Sequence, residues 1–228
     1  PNYNSFITTF SHQLIKGERP EIINDDIVPL IYVEDLVRQI FRATELKGIH
    51  RIEISSKTKR KVSKILTQLK EFKKTYIENG TIPKLQTLFD TQLFNTFRSA
   101  IDLKDFFPKS YQIHHDERGS FAELIRACTK GQVSFSSTKP GVTRGNHFHT
   151  RKVERFSVIQ GEAKICLRIV GTKEIKEFKL VGTKPSYIDI PIWATHNITN
   201  IGKKDLITVF WINEHYNPVD ADVYFEKV

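Results

Sequence analysis

Hydrophobic spacing divides the chain into two rhythms. Over residues 1–108 the apolar positions recur every three to four residues. Phe6, Ile7, Phe10, Leu14 and Ile15 form one stripe, stopped by Gly17 and Pro20. Ile27–Val33 reads as a short strand, Glu34–Arg42 as a helix with acids at its start, and Arg51–Ser55 as a further strand. Val62, Ile65, Leu66, Leu69, Phe72 and Tyr76 predict a long amphipathic helix that ends at Asn79-Gly80. Leu85, Leu88, Phe89, Leu93, Phe94, Phe97 and Ile101 predict another. From residue 111 the period becomes two. Glu154, Phe156 and Val158 alternate with Arg155, Ser157 and Ile159, and Ala163, Ile165, Leu167 and Ile169 alternate with Lys164, Cys166, Arg168 and Val170. Further strand runs are expected at 120–126, 132–138, 174–181, 186–190, 196–200 and 205–213, with glycines and Lys139-Pro140-Gly141 between them. Many short strands at close spacing predict a sandwich or barrel. The expected class is therefore mixed: a mainly helical part over 1–110, then an all-β domain over 111–228.

Composition narrows the class. With 228 residues, 39% hydrophobic and 27% charged, the chain has enough apolar content for real cores and does not read as disordered. No apolar run approaches the ~20 residues of a membrane span, and the start lacks a signal-peptide pattern. Two cysteines, Cys128 and Cys166, are too few for a disulfide framework, and a reduced, cytoplasmic setting is expected. The chain contains no methionine and begins at Pro1, so it is expected to be the later part of something longer. The net charge of +9 is spread evenly: residues 1–110 hold 18 Lys+Arg against 13 Asp+Glu, and 111–228 hold 17 against 13. Lys57, Lys59, Arg60 and Lys61, with Lys70, Lys73 and Lys74, read as the solvated face of a helix rather than as a nucleic-acid patch.

The candidate chemistry lies in the second half. His147 and His149 are two apart, so on a strand both leave the same face. Glu154 follows a polar stretch that lets the chain bend back, and His196 heads a late strand. Three imidazoles and one carboxylate suit a divalent metal such as zinc, iron, manganese or nickel. A buried, hydrogen-bonded core histidine is the plainer reading of each taken singly. Together they read Gly141-x5-His147-x-His149-x4-Glu154-x6-Gly161 and Pro191-x4-His196-x3-Asn200, which resembles the two motifs of the cupins. The second departs from the pattern: the usual glycine between Pro and His is Trp193, and no glycine stands at the expected distance before Pro191.

A second resemblance concerns chemistry. Asp116-Glu117-Arg118-Gly119-Ser120-Phe121-Ala122-Glu123 and Arg144-Gly145-Asn146-His147-Phe148 are similar to blocks of the nucleotide-sugar 3,5-epimerases. In that family the histidine is the base beside the sugar ketone, and arginines hold the substrate. The resemblance implies His147 and Arg144 as catalytic candidates, and it sets the base role of His147 against its ligand role. The family's tyrosine acid has no counterpart on Thr208-Val209-Phe210-Trp211; Tyr216 lies beyond. Arg118, Glu123, Lys152 and Trp193 are candidates for binding the sugar nucleotide, against surface charge or a core aromatic as the plain alternatives.

Over nearly its whole length the chain resembles the bifunctional capsule-sugar enzymes that join a short-chain reductase to a C-terminal cupin and make UDP-N-acetyl-L-fucosamine. The matching stretches are Pro1-Asn2-Tyr3-Asn4-Ser5, Tyr32-Val33-Glu34-Asp35-Leu36-Val37, Asp116–Glu123, Arg144–His149, and Asp189-Ile190-Pro191 with Thr195-His196-Asn197-Ile198. The resemblance implies a zinc cupin that epimerises C3 of a UDP-4-keto-6-deoxy-N-acetylhexosamine and a reductase that uses NADPH at C4. The glycine-rich turn and Tyr-x-x-x-Lys pair of such reductases are missing, so residues 1–110 are expected to be only the substrate-side portion, and NADP to bind only the intact enzyme. A homodimer is expected from related proteins. Competing readings are a metal-dependent dioxygenase or isomerase of another small molecule, and a non-enzymatic sugar-binding cupin.

Overall fold

The structure is a computed structural model that describes residues 5–56 and 58–228. The stretch Pro1–Asn4 quoted above, and Lys57, lie outside the described residues. The chain divides into two compact units, Pro1–Pro108 and Lys109–Val228.

In the first unit, α1 (Phe6–Ile15) starts at Ser5, whose side chain accepts from the Thr8 N–H. It is followed by β1 (Ile27–Leu30), α2 (Val33–Thr44), β2 (Thr58–Lys61), α3 (Val62–Phe72), a π-helical segment (Lys73–Glu78), α4 (Leu88–Arg98) and the single turn α5 (Leu103–Phe106). α4 opens on a capping box between Thr87 and Asp90. The core is built where the apolar stripes of α1, α3 and α4 meet: Phe10, Leu14, Ile65, Leu69, Phe72, Phe94 and Phe97 are buried together. Phe94 receives Phe72 and Tyr76 edge-on at 5.0 and 5.2 Å. α2 buries none of its residues, and Val33, Val37, Ile40 and Phe41 on it are exposed.

The expectation of a mainly helical reductase portion is corrected here. The chain is 24% helical and 35% strand, mostly β with a cupin-like β domain and few helices. Apolar spacing overstated the helices for two reasons, and one expected strand does not form. The stripe from Val62 to Glu78 is α-helical only as far as Phe72, and the remainder widens into π geometry. The second stripe yields helix only between its Thr87 cap and Arg98. Residues 45–56, including the expected strand Arg51–Ser55, form neither helix nor strand.

The second unit is two antiparallel sheets. The strands are β3 (Ile113–Asp116), β4 (Gly119–Arg126), β5 (Gln132–Thr138), β6 (Thr143–Phe148), β7 (Glu154–Gln160), β8 (Glu162–Ile169), β9 (Lys176–Val181), β10 (Ser186–Ile190), β11 (Ala194–Asn200), β12 (Leu206–Ile212) and β13 (Tyr224–Phe225). They order as β10-β7-β12-β5-β4-β3 and β13-β6-β11-β8-β9, a double-sheet jelly roll. Between the sheets, Val158, Ala163, Ile165, Leu180, Ile198 and Leu206 form an apolar core. Asn200, the last residue of the second motif, is fully buried. Its amide donates to the carbonyls of Thr138 (2.7 Å) and Lys204 (2.9 Å), and its oxygen accepts from the Gly202 N–H at 2.9 Å. This asparagine ties strand ends together and faces no ligand.

Candidate metal centre

The four residues picked out by spacing meet inside the jelly roll. His147 lies on β6, His149 one residue past its end, Glu154 at the start of β7 and His196 on β11. Two sheets therefore contribute donors. β6 and β11 pair with His147 opposite His196, and the register shifts immediately afterwards, between His196 and Asn197. Gly145 makes this shift possible. Its φ is +98°, and a Cβ there would stand 2.7 Å from the His196 carbonyl oxygen and 3.0 Å from Asn197 Cα. Gly145→Ala is expected to cost about 1–3 kcal/mol and to displace His196, read as a lower urea midpoint at unchanged slope.

One donor atom from each of the four residues falls within 4.8 Å of all the others. Glu154 Oε2 lies 3.0 Å from His149 Nε2 and 3.3 Å from His196 Nε2. These are close contacts without hydrogen-bond alignment: all three atoms are buried and have no hydrogen-bond partner. A buried polar atom left unpaired costs about 1–3 kcal/mol, so three converging ones are a strong demand for something between them. A divalent cation answers it. Ligand bonds of about 2.1 Å put adjacent donors about 3.0–3.4 Å apart, the spacing seen here.

The electrostatics agree. Burial pushes the Glu154 carboxyl up, but the two imidazoles against it outweigh this and hold it well below the usual carboxylate range. Burial, with His196 nearby, lowers His147 to about 4, so its ring is neutral with a free lone pair at pH 7. Burial also pushes His149 down, but contact with Glu154 reverses that and leaves it raised. The His149 Nδ1 contacts the Asp222 carbonyl oxygen, which can only accept. Nδ1 therefore carries the hydrogen, and in the neutral ring Nε2 presents its lone pair to the cluster.

A cavity of about 160 Å³ opens onto this cluster. Its wall includes His147, Glu154, His196, Arg144, Ser136 and Asn197, with Phe121, Phe156 and Phe210 as the aromatic side. Phe156 and Phe210 stack at 5.2 Å. The Arg144 guanidinium is held by Nε donating to Thr138 Oγ1 and Nη2 to the Ser137 carbonyl, both at 3.1 Å. Asp116 Oδ1 lies 3.6 Å from it.

The other expected substrate contacts stand apart from this cavity. Arg118 is turned onto Asp116 through Nε and Nη2, and Glu123 is held in a two-pronged pair with Arg126 at 2.7 and 3.0 Å. Lys152 is buried, with Nζ donating to the Ala221 carbonyl and lying 5.8 Å from the centre of the Tyr216 ring. Trp193 is half-exposed and stacks on Phe148 at 5.5 Å. Its φ is +59°, the left-handed conformation in which a glycine is comfortable. The departure from the cupin motif is thus one of residue type and not of backbone. The turn is pinned by the Trp193 N–H donating to the His149 carbonyl (2.8 Å) and by its own carbonyl accepting from the Val170 N–H (2.9 Å). Sequence reasoning missed Asp222, which reaches the loop between two of the cluster residues from 70 positions away. It also missed the aromatic wall, although the period-two alternation put Phe156 on the same face as Glu154.

A family model described as the polysaccharide biosynthesis C-terminal domain matches residues 114–224. A UDP-2-acetamido-2,6-beta-L-arabino-hexul-4-ose reductase from Pseudomonas aeruginosa is 32% identical over 228 residues, covering 98% of this chain and 60% of that protein. Among solved structures, the capsular polysaccharide assembling protein CapF from Staphylococcus aureus superposes on the whole chain with a TM-score of 0.87 at 37% identity, covering 62% of that chain. In another crystal form the values are 0.87, 38% and 67%. The chain thus spans about three fifths of the length of the first of these relatives. Among the described residues, no helix is long and apolar enough to cross a membrane.

Proposed function

Because the chain belongs to the family of capsular-polysaccharide assembling proteins related to CapF, we propose that its cupin half epimerises C3 of a UDP-4-keto-6-deoxy-N-acetylhexosamine. In the intact enzyme this step is coupled to NADPH-dependent reduction of the C4 ketone, giving UDP-N-acetyl-L-fucosamine. The first unit is, in this reading, the substrate-side end of the reductase portion. A UDP-sugar substrate makes the reaction cytoplasmic, and pairing of two copies is expected by analogy with related cupins.

The observation that carries the proposal is a cavity whose wall brings the Arg144 guanidinium together with His147, Glu154 and His196, three members of the four-residue donor cluster. Its size suits a sugar ring, with the nucleotide left outside. Epimerisation beside a ketone needs a base at the carbon and positive charge or donors at the oxygen. In the proposed site His147, His149, Glu154 and His196 hold zinc. The bound ion supplies Lewis acidity to the ketone oxygen. Arg144, anchored through two of its nitrogens, keeps further N–H groups for the same oxygen as negative charge grows on it. His147 is the least buried of the four, and Glu154 lies against His149 and His196 rather than against it. To act as the base it must be free of the ion, which His149, His196 and Glu154 would then hold. Phe121, Phe156 and Phe210 keep water from the sugar's apolar edge, and Trp193 is positioned outside the cavity for the nucleotide.

The test is solvent exchange. The zinc-loaded chain in D2O is expected to introduce one deuterium at C3 of the 4-keto sugar nucleotide, followed by NMR or mass spectrometry. Loss of exchange on His147→Ala is expected with or without loss of metal, and metal content tells the two roles apart. No exchange above buffer by metal-loaded protein contradicts the proposal.

A further inference from the structure

We infer that the C-terminal residues 219–228 are a strap that orients the metal centre, with Asp222 as its positioning residue. This rests on the metal-site reading and is independent of the sugar chemistry. The carboxylate of Asp222 is buried and wraps the loop that joins His149 to Glu154. Oδ1 accepts from the Thr150 N–H (3.0 Å) and hydroxyl (2.6 Å), and Oδ2 accepts from the N–H groups of Arg151 (3.1 Å) and Lys152 (3.0 Å). Three consecutive backbone donors on one carboxylate form an anion nest closed by a residue of the same chain. The same residue's carbonyl accepts from His149 Nδ1. One residue therefore fixes both the ring of one donor and the loop that leads to the next. Its φ of +46° is left-handed, a conformation that requires outside support.

Beyond Asp222 the strap lies along the other two imidazoles. β13 pairs with β6, and Phe225 stands opposite His147. The Glu226 carbonyl accepts from the hydroxyl of Thr195, the neighbour of His196. The far end is held by Arg168, whose Nη2 donates to Glu226 Oε1 and to the Lys227 carbonyl, each at 2.6 Å. The strap thus touches the ring of His149, pairs with the backbone of His147 and bonds the residue next to His196. Outer hydrogen bonds of this kind govern affinity by fixing ring orientation and tautomer, and their loss weakens metal binding about 10–100-fold. Linkage requires the reverse as well: metal binding must stabilise the docked strap.

The experiment uses the full chain and zinc alone. Affinity is read by competition with a colorimetric chelator, and amide exchange is followed at 150–152 and 222–228. Asp222→Ala is expected to bind zinc 10–100-fold more weakly than wild type. Asp220→Ala, which loses only an exposed pair with Arg151, is expected to stay within about twofold. Zinc is expected to slow exchange of the strap amides in the wild type. Should Asp222→Ala fail to fold, Arg168→Ala frees the far end while leaving the 150–152 nest intact, and is expected to weaken zinc binding and speed strap exchange. Unchanged zinc affinity in a folded Asp222→Ala or Arg168→Ala overturns the inference alone. A wild-type chain that binds no zinc overturns it together with the metal-site reading.

Discussion

Removing the divalent metal lowers the thermal midpoint of the second unit by about 10–20 °C. The magnitude follows from linkage: a ligand present at a thousand times its dissociation constant stabilises the folded state by about 4 kcal/mol, and a domain of this size shifts by several degrees per kcal/mol. The structure gives a reason for the metal-free form to be poor in its own right. His149 Nε2, His196 Nε2 and Glu154 Oε2 are then left buried without hydrogen-bond partners. Water repairs part of that deficit, so the loss stays within the linkage range. Glu154→Ala is expected to abolish the metal-dependent part of the shift, because the carboxylate is the anionic donor and lies against two of the three imidazoles. Calorimetry with and without an excess of strong chelator measures both. A midpoint unmoved by complete chelation contradicts the account.

Arg144→Ala is expected to slow deuterium exchange at C3 by about 10²–10³-fold, the cost of losing one donor aimed at a developing oxyanion. The stability cost is smaller. Arg144 makes two hydrogen bonds, to Thr138 Oγ1 and the Ser137 carbonyl, and each contributes about 1 kcal/mol. Arg144→Lys keeps the charge but not the planar fork, so it recovers part of the rate at most. The loss is expected in the rate constant more than in substrate affinity, since the interaction strengthens only as charge develops. Exchange by Arg144→Ala within threefold of wild type removes this residue from the chemistry. The metal affinity of that variant is expected to be unchanged, which separates it from variants of the cluster itself.

The two predictions rest on parts of the molecule that were legible in the sequence to different degrees. β5 and β10 run over the residues that alternation assigned to them, 132–138 and 186–190, because a strand with one buried face writes its period directly into the residue types. The cluster was legible in part for the same reason: His147 and His149 share a face by spacing and Glu154 heads β7, whereas His196 is the third residue of β11 rather than its first. The helical spacing of the first unit was a weaker guide. It reports an apolar face, and it does not report that residues 73–78 widen into π geometry or that α2 buries nothing within its unit. The partners of single charged side chains were not legible at all. Arg118 and Glu123 stand in a motif-like stretch, yet each is neutralised by a local partner, Asp116 and Arg126, and neither faces the cavity. Trp193 shows the opposite case, in which the residue type departs from the motif while the backbone keeps the left-handed turn. Asp222 is the furthest from legibility, since an acid near a C-terminus carries no sign of a loop 70 positions earlier.

The most direct measurement is X-ray absorption at the zinc edge of the loaded chain. The account predicts one ion per chain, three imidazoles in the multiple-scattering pattern, and one carboxylate oxygen, with first-shell distances of about 2.0–2.2 Å. A first shell containing sulfur, fewer than two imidazoles, or a signal that survives simultaneous replacement of His149 and His196 contradicts it.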